Sequence, residues 1–478
     1  MSSKSLLSNS LYNLLYRGLN VLFPLVTVTY VSRILLAEGV GRVTSAQNVV
    51  QYFVVLAALG IPNYGIREIA KNKESEQERN KLFSELFFIN LISTFIFTVA
   101  YYTMIVVFPR FENDYFLHLI VGTSVVLNAI NVDWFYQGME EYHYIAIRSF
   151  IIKIISLVLI FIFIRNLDDL VWYAGISCFA ICGNNILNVL KLRKFNVRLQ
   201  FKGLCLKKHM KPLMYLLASV ISVELYTLLD TTMVSAICGN EEVGYYTNAM
   251  KLIKLLITFV TAIGGVLLPR LSYHHKLGEE KECSNIVSMV FSIMLFVFVP
   301  CQIGIFMISD EIICGLFGSS FLQAGVTLKI ASFLICTLGF SNLFGTQVLL
   351  TYGKEKLLLV TTFTGAISNI AMNAILIPMY AQNGAAFASV ISETLVTLLS
   401  VIFASKFIKL KVDKKYIFCV IISSLAMIGV VAAVDMWIDN NILTMVLAII
   451  FGAIVYFGIN IIAKNPIINT VKQNLMNK

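Results

Sequence analysis

The segment GNEEVGYYTNAMKLIKLLITFVTAIGGVLLPRLSYHHK, from Gly239 to Lys276, is apolar over enough residues to cross a bilayer and carries two lysines inside its apolar run. At about 1.5 Å per helical residue, Lys251 and Lys254 lie roughly 9 to 14 Å into the span. A charge at a helix centre costs on the order of 2.5 to 3.5 kcal/mol, so lysines at this depth usually face a water-filled cavity or a partner. We therefore expect both lysines to have a function.

The same helix is predicted to have one polar face. Its polar residues are Thr247, Lys251, Lys254, Thr258 and Thr261. Their spacing of i, i+4, i+7, i+11 and i+14 places them on one side of a helix. We predict that Lys251 and Lys254 bind substrate and that Thr247 and Thr258 line the same cavity.

An internal repeat links this segment to one that lies 203 residues earlier. Five positions are identical in the two copies: Val40 and Val243, Gly41 and Gly244, Thr44 and Thr247, Ala46 and Ala249, Arg67 and Arg270. In the first copy, Asn48 and Gln51 stand at the positions of the two lysines, so the polar face recurs without its charges. We predict a duplicated chain in which Asn48 and Gln51 also line the cavity.

The composition excludes a soluble globular protein. Of the 478 residues, 58% are hydrophobic and 13% are charged, and the mean hydropathy is +0.81, which leaves too little polar surface for a water-soluble fold. The net charge of +10 does not indicate nucleic-acid binding, because the basic residues cluster in alternate connections between apolar runs. The nine cysteines are scattered without metal-ligand spacing, so we expect free thiols.

Fourteen apolar runs of spanning length predict an all-α polytopic membrane protein. The runs are 11–34, 43–66, 82–108, 116–138, 144–164, 171–190, 212–237, 245–268, 286–309, 326–351, 357–380, 384–405, 416–437 and 442–463. The even-numbered connections and the two ends hold 27 of the 37 lysines and arginines. The odd-numbered connections hold four when Arg33, at the end of the first run, is counted with them, and the other six lie within the runs. This asymmetry predicts that both termini are cytoplasmic.

The repeat predicts the domain organisation. Six helices per copy is an even number, so both copies enter the membrane in the same direction and are expected to be related by a pseudo-two-fold axis along the membrane normal. We predict an N-terminal lobe at 1–190, a basic cytoplasmic linker at 191–211, and a C-terminal lobe at 212–405 that faces the first across a cleft. Two further helices and a cytoplasmic tail, 406–478, lie outside the repeat.

Three more cations are predicted inside the membrane. Two of them have polar residues on the same helix face, and the third lies next to such a face in the sequence. They are Arg17 in helix one and Arg148 and Lys153 in helix five. Together with the two lysines of helix eight they form a cationic interior that suits the passage of an anion. The alternative for each cation is a structural ion pair with an embedded carboxylate.

The embedded carboxylates are Asp133, Glu224, Asp230 and Glu393. Two roles stay open for them. They bind a coupling proton or sodium ion, for which Glu393 between two serines on one helix face is well placed, or they serve as structural partners of the cations. No cofactor and no metal are expected, apart from coupling to such an ion gradient. The five histidines form no catalytic constellation, and the predicted outer connections are short, so an enzyme is not expected.

Several strings stand at characteristic places along the chain. They are VSRILLAEGVGRV after helix one, LAALGIPNYGIREIAK closing helix two, DWFYQGMEEY at 133–142, GNEEVGYYTNAMKL opening helix eight, VLLPRLS at 266–272, and ILIPMYAQNGAAFASVISE ending at Glu393. In this order the chain resembles the Wzx-type oligosaccharide flippases, which handle O-antigen or capsule repeat units, of the multidrug/oligosaccharidyl-lipid/polysaccharide exporter superfamily. It departs from the family in lacking a basic residue after Asp230 and in the residues that follow Tyr380.

The resemblance implies a fourteen-helix, two-lobed flippase of a bacterial cytoplasmic membrane. Such a protein carries undecaprenyl-diphosphate-linked sugar repeat units from the inner to the outer leaflet by alternating access. Its implied partners are the lipid-linked oligosaccharide, membrane lipids, and the polysaccharide polymerase and chain-length machinery. A lipid diphosphate is an anion that must cross hydrocarbon, and a cation-lined cleft lowers that barrier.

Two other functions are weighed against this one. A multidrug or metabolite exporter of the same superfamily would need carboxylates and aromatic side chains for cationic substrates, whereas five embedded cations favour an anion. A polytopic membrane enzyme, such as a polysaccharide polymerase or an acyltransferase, typically needs a large outer loop or a membrane histidine with an acidic partner. The sequence indicates neither feature.

Overall fold

The computed structural model describes the backbone of residues 3–466 and the side chains of residues 23–466, apart from 219, 222, 223, 225, 226 and 259–266. The side chain of Arg17 lies outside the described residues, so its role stays a prediction. Within the described range every regular element is helical, and nine helical stretches, some of which join several of the helices named below, are long and apolar enough to cross a membrane. The expectation of an all-helical, multi-pass membrane protein is confirmed.

The chain divides into two compact units, Met1–Ser235 and Ala236–Lys478. The helices that begin in the first unit are α1 (Ser3–Ala58), α2 (Ile61–Lys71), α3 (Glu76–Val107), α4 (Tyr115–Leu127), α5 (Asp133–Gly138), α6 (Tyr142–Phe163), α7 (Leu170–Lys191) and α8 (Lys207–Ile237). The division therefore falls near the end of α8.

The second unit holds the remaining helices. They are α9 (Asn240–Lys276), α10 (Glu280–Met307), α11 (Ser309–Phe317), α12 (Gln323–Ala331), α13 (Leu334–Ser341), α14 (Glu355–Ala404), α15 (Lys414–Trp437) and α16 (Asn441–Ile462), with a π-helix at Asn342–Leu349. The apolar run at 326–351 is thus several helical pieces, and part of the connection before it forms the short helix α11.

Two of the long helices contain a break in the backbone. Leu36 in α1 has φ 57° and ψ −174°, and Ala381 in α14 has φ 49° and ψ −130°. Neither conformation is helical, so each residue divides its helix into two arms. The two arms of α1 and the two arms of α14 correspond to four of the apolar runs in the sequence.

The break at Leu36 has a counterpart in the second unit. Gly239, which precedes α9, has φ 113° and ψ −172°. It lies 203 residues after Leu36, which is the offset of the identical residues in the sequence repeat. The helix that carries Asn48 and the helix that carries Lys251 therefore both start from a residue with positive φ and extended ψ.

An aromatic core supports the first unit at one end of α3. Phe83, Trp134 and Phe135 are buried together with residues of α2, and the rings of Phe83 and Trp134 lie 5.5 Å apart. The backbone of α2 approaches this core closely at Gly65, where an added Cβ would lie 2.5 Å from Trp134. Burial of each large apolar side chain contributes about 1.5 to 3 kcal/mol, so this core fixes the polar side chains around it.

Candidate functional site

The two lysines of α9 occupy different environments. Lys254 is exposed, whereas Lys251 is half-buried and its Nζ lies 3.4 Å from Oδ1 of Asn248. The hydroxyls of Thr247 and Thr258 donate to backbone carbonyls one turn earlier, at 2.8 and 2.9 Å. An ammonium in lipid would lose its hydrogen bonds to water, so we expect the exposed Lys254 of this predicted span to lie on a hydrated surface.

Asn48 takes part in helix packing within the first unit. Its Nδ2 donates to Thr232 Oγ1 at 2.7 Å and to the Leu228 carbonyl at 3.2 Å. The Tyr52 hydroxyl lies 2.8 Å from the same threonine oxygen. Gln51 is half-buried. The second arm of α1 is therefore held against α8 by Tyr52 and by Asn48, which the repeat aligns with Lys251 on the polar face of α9.

Arg148 forms an ion pair with Asp133. Its Nη2 lies 2.8 Å from Asp133 Oδ1, and the arginine side chain is 2% exposed. Asn188 donates to the same carboxylate, and the Tyr144 ring centre is 5.4 Å from the guanidinium carbon. The pair matches the structural alternative, in which an embedded carboxylate neutralises an embedded cation.

The guanidinium of Arg148 keeps unused donors. Among the residues that the structure describes, none forms a well-aligned hydrogen bond with Nε, Nη1 or Nη2 of this buried arginine, although Nη2 is within ion-pair distance of Asp133. A guanidinium carries five N–H donors, and unmet buried donors cost free energy. An oxyanion is the kind of ligand that satisfies them.

The burial and contacts of the other predicted site residues are as follows. Lys153 is 8% exposed, with its Nζ 5.5 Å from the centre of the Phe23 ring. Asp230 and Glu393 are buried, and Glu224 is half-buried with Oε2 3.4 Å from Thr227 Oγ1. Arg148 and Asp133 are thus a predicted cation and a predicted carboxylate that the structure brings into contact.

A further embedded carboxylate, Glu85, was not predicted from the sequence. It is fully buried on α3 and lies 2.8 Å from Lys208 Nζ and 2.9 Å from His209 Nε2. It also accepts a 2.8 Å hydrogen bond from the backbone N–H of Cys205. The other ring nitrogen of His209, Nδ1, lies 2.8 Å from the Tyr64 hydroxyl. Two helices and the stretch before α8 thus meet at one carboxylate.

A polar pocket of about 290 Å³ opens beside this network. Its lining combines Glu85, Lys208, His209 and Tyr64 with Glu68, Asn72, Glu78, Lys81 and Leu82. No local motif marks the network, because Glu85 and Tyr64 lie 124 and 145 residues from His209 in the sequence. The one available signal is Glu85 itself, a charge inside the apolar run at 82–108.

Comparison with known proteins shows the family. Residues 6–275, more than half of the chain, match the family described as polysaccharide biosynthesis protein. The chain is therefore a multi-pass membrane protein that belongs to the polysaccharide biosynthesis protein family. The resemblance inferred from the sequence motifs is confirmed.

The relatives and a solved structure agree with this assignment. A Shigella dysenteriae protein named as an O-antigen transporter is 24% identical over 394 residues, which cover 82% of this chain and 98% of the relative. A Haloferax volcanii protein named as a low-salt glycan biosynthesis flippase is 26% identical over 263 residues, 55% of each chain. The lipid II flippase MurJ, in an inward closed conformation, has a TM-score of 0.76 at 16% identity and covers 96% of this chain and 99% of its own. The all-helical fold is thus of the MurJ type.

Proposed function

We propose that this protein is a flippase that moves undecaprenyl-diphosphate-linked oligosaccharide repeat units from the inner to the outer leaflet of a bacterial cytoplasmic membrane. The observation that carries the proposal is the similarity to a protein named as an O-antigen transporter over 98% of that protein's length. The embedded cations fit such a substrate, because its diphosphate must cross hydrocarbon as an anion. The protein acts as a transporter and not as an enzyme.

The proposed substrate site is a cationic cavity. In this proposal Arg17, Arg148, Lys153, Lys251 and Lys254 hold the diphosphate, and Asn48, Gln51, Thr247 and Thr258 line the same cavity. The exposure of Lys254 and the unused donors of Arg148 support it. Phosphate oxygens would replace water around the ammonium groups and complete the guanidinium fork with charge-assisted hydrogen bonds.

Transport by alternating access needs two related halves. We propose fourteen spanning segments, arranged as lobes at 1–190 and 212–405 with a pseudo-two-fold axis along the membrane normal, and two further helices. The matching backbone at Leu36 and Gly239 supports the duplication. The distribution of lysines and arginines supports cytoplasmic termini.

A gradient of protons or sodium ions is proposed to drive the cycle. Asp133, Glu224, Asp230 and Glu393 are the candidate sites for the coupling ion, because carboxylates inside a membrane bind protons and sodium ions. The polysaccharide polymerase and the chain-length machinery are the proposed partners that act on the product in the outer leaflet.

A strain that lacks the protein tests this function. We expect lipid-linked repeat units to accumulate in the inner leaflet and surface glycan to disappear, with both effects reversed by a plasmid copy. Measurement of the two lipid pools and of surface glycan checks this. Normal glycan export together with increased drug sensitivity would contradict the proposal and identify a multidrug exporter.

A further inference from the structure

A stretch without regular helix, 196–206, is bound along the beginning of α3. Ser84 Oγ accepts a 2.8 Å hydrogen bond from the backbone N–H of Gln200. Asn80 Nδ2 donates to the Asn196 carbonyl at 3.1 Å, and Glu85 accepts from the Cys205 N–H at 2.8 Å. We call this stretch strap 1. Its backbone is fixed by the side chains of one helix.

The second unit repeats this arrangement. The stretch 406–413 between α14 and α15, strap 2, is bound along the beginning of α10. Ser288 Oγ accepts from the Lys411 N–H at 2.9 Å, and Ser284 Oγ accepts from the Lys409 N–H at 3.4 Å. Ser84 and Ser288 are 204 residues apart, within one residue of the repeat offset. Both copies of the repeat therefore end in a strap held by a serine.

Each strap has an inner apolar face. In strap 1, Val197 and Leu206 pack against the core of Phe83 and Trp134. In strap 2, Ile408 is 3% exposed and Val412 packs against the cluster around Tyr416. The apolar residues of the straps therefore have a packing surface within their own unit.

Other apolar residues of the straps point away from that surface. Leu199 and Phe201 in strap 1 are 43% and 74% exposed, and Leu410 in strap 2 is 39% exposed. Exposed basic residues flank them on both sides: Arg198 and Lys202 in strap 1, Lys409 and Lys411 in strap 2. The outer face of each strap therefore presents both basic and apolar side chains.

The position of strap 1 along α3 indicates what covers this face. Ser84 lies seven residues, roughly 10 Å along the helix, before Leu91, where the large exposed apolar side chains of α3 begin. Those side chains face lipid in a spanning helix, so Ser84 and strap 1 lie near the boundary between hydrocarbon and headgroups.

We propose that the two straps bind the headgroups of anionic phospholipids. The flanking lysines and arginine contact lipid phosphates, while Leu199, Phe201 and Leu410 enter the interfacial layer. Basic residues beside exposed apolar residues are the pattern of surface-binding segments, and the cytoplasmic leaflet, where the proposed topology places both straps, is the anionic one.

Lipid enrichment around the full-length protein tests the proposal. The protein and the quadruple variant R198Q/K202Q/K409Q/K411Q are placed in nanodiscs of phosphatidylcholine with about one-third phosphatidylglycerol. The discs are then extracted with mild detergent, and the lipids that co-purify are counted by mass spectrometry. The control is K276Q/K281Q, which removes two exposed lysines at the end of α9 and the start of α10, beside Glu279, Glu280 and Glu282.

We expect phosphatidylglycerol to be enriched over phosphatidylcholine on the parent and on the control. Each basic residue near an anionic surface raises the binding constant about fivefold. The enrichment of phosphatidylglycerol should therefore be at least about fivefold lower on the quadruple variant than on the parent. Unchanged melting in pure phosphatidylcholine discs shows that the variant is folded. Inorganic phosphate should not compete. Equal enrichment on the quadruple variant and the parent would overturn the proposal.

Discussion

The Glu85 carboxylate holds three parts of the first unit together. It is fully buried and binds Lys208, His209 and the backbone of Cys205, all at 2.8 to 2.9 Å. These contacts replace the water that the charge loses on burial, and they connect α3 to the end of strap 1 and to the start of α8. Removal of the carboxylate would leave a buried histidine and a strap N–H without their partner.

We predict that Glu85→Ala lowers the free energy of unfolding by about 1 to 3 kcal/mol, because the buried His209 ring and the Cys205 N–H lose their acceptor while Lys208, 48% exposed, keeps its hydration. Glu68→Ala is the matched control, because Glu68 lines the same pocket but its partners Arg67 and Lys71 are more than half exposed. That control should cost no more than about 1 kcal/mol. Thermal unfolding of the purified variants in detergent measures both. Equal losses would show that Glu85 is not a structural centre.

Sequence patterns identify single residues better than they identify pairs. The exposed position of Lys254 follows from helical spacing on one segment, and Asp133 was among the carboxylates considered as partners for an embedded cation. The Glu85 network was missed because Glu85 and Tyr64 are each more than 100 residues from His209. Spacing fixes the face of one helix, whereas contacts between distant segments depend on how the helices pack.

At the scale of the elements, the break in α1 falls where no glycine or proline marks it. Leu36 adopts φ 57° with extended ψ, a conformation that non-glycine residues rarely adopt. The equivalent position in the second copy is Gly239. The apolar runs on either side were predicted. The sharp turn between the two helical arms was not, because leucine is common inside helices and does not signal a break.

We predict that stability responds differently to substitutions at these two positions. Leu36→Gly relieves backbone strain of about 1 to 3 kcal/mol, which offsets the lost contacts of a side chain that is 40% exposed, so stability should change little. Gly239→Ala places a Cβ at φ 113° and should lower stability by about 1 to 3 kcal/mol. Melting temperatures in the same detergent compare the two. A larger loss for Leu36→Gly than for Gly239→Ala would contradict the assignment of strain.

At the scale of the whole molecule, the positive-inside pattern predicts which connections face the cytoplasm. Cys205 in strap 1 is exposed and predicted to be cytoplasmic, whereas Cys314 in α11 is half-buried and predicted to face outside. Single-cysteine variants in intact cells should therefore react with an impermeant maleimide at position 314 and not at 205. Ser320→Cys, at an exposed site after α11, is a control for the limited access to Cys314. Labelling of 205 in place of 314 and 320 would contradict the fourteen-segment topology.

Hydropathy predicts an all-helical, multi-pass membrane protein, because the length of an apolar run and the charge of a connection are properties of local sequence. It does not predict the division of the run at 326–351 into α12, α13 and a π-helix, which depends on packing against neighbouring helices. The family was also predicted from short sequence strings, and the family match over residues 6–275 confirms it.

The most direct test of the cationic cavity, the central claim about how this flippase holds its substrate, is glycan export by Lys254→Glu. A carboxylate about 4 Å from a phosphate oxygen is repelled by about 4 kcal/mol at an effective dielectric constant of 20, so export should fall by at least roughly 100-fold, and Lys254→Gln should fall less. Lys276→Glu, at the end of the same helix, is the control. Surface glycan and inner-leaflet lipid-linked repeat units are measured at equal protein abundance in the membrane. We predict lost glycan with accumulated intermediates for Lys254→Glu alone. Normal export by that variant would contradict the assignment of Lys254 to the cavity and leave it as a structural partner for a carboxylate.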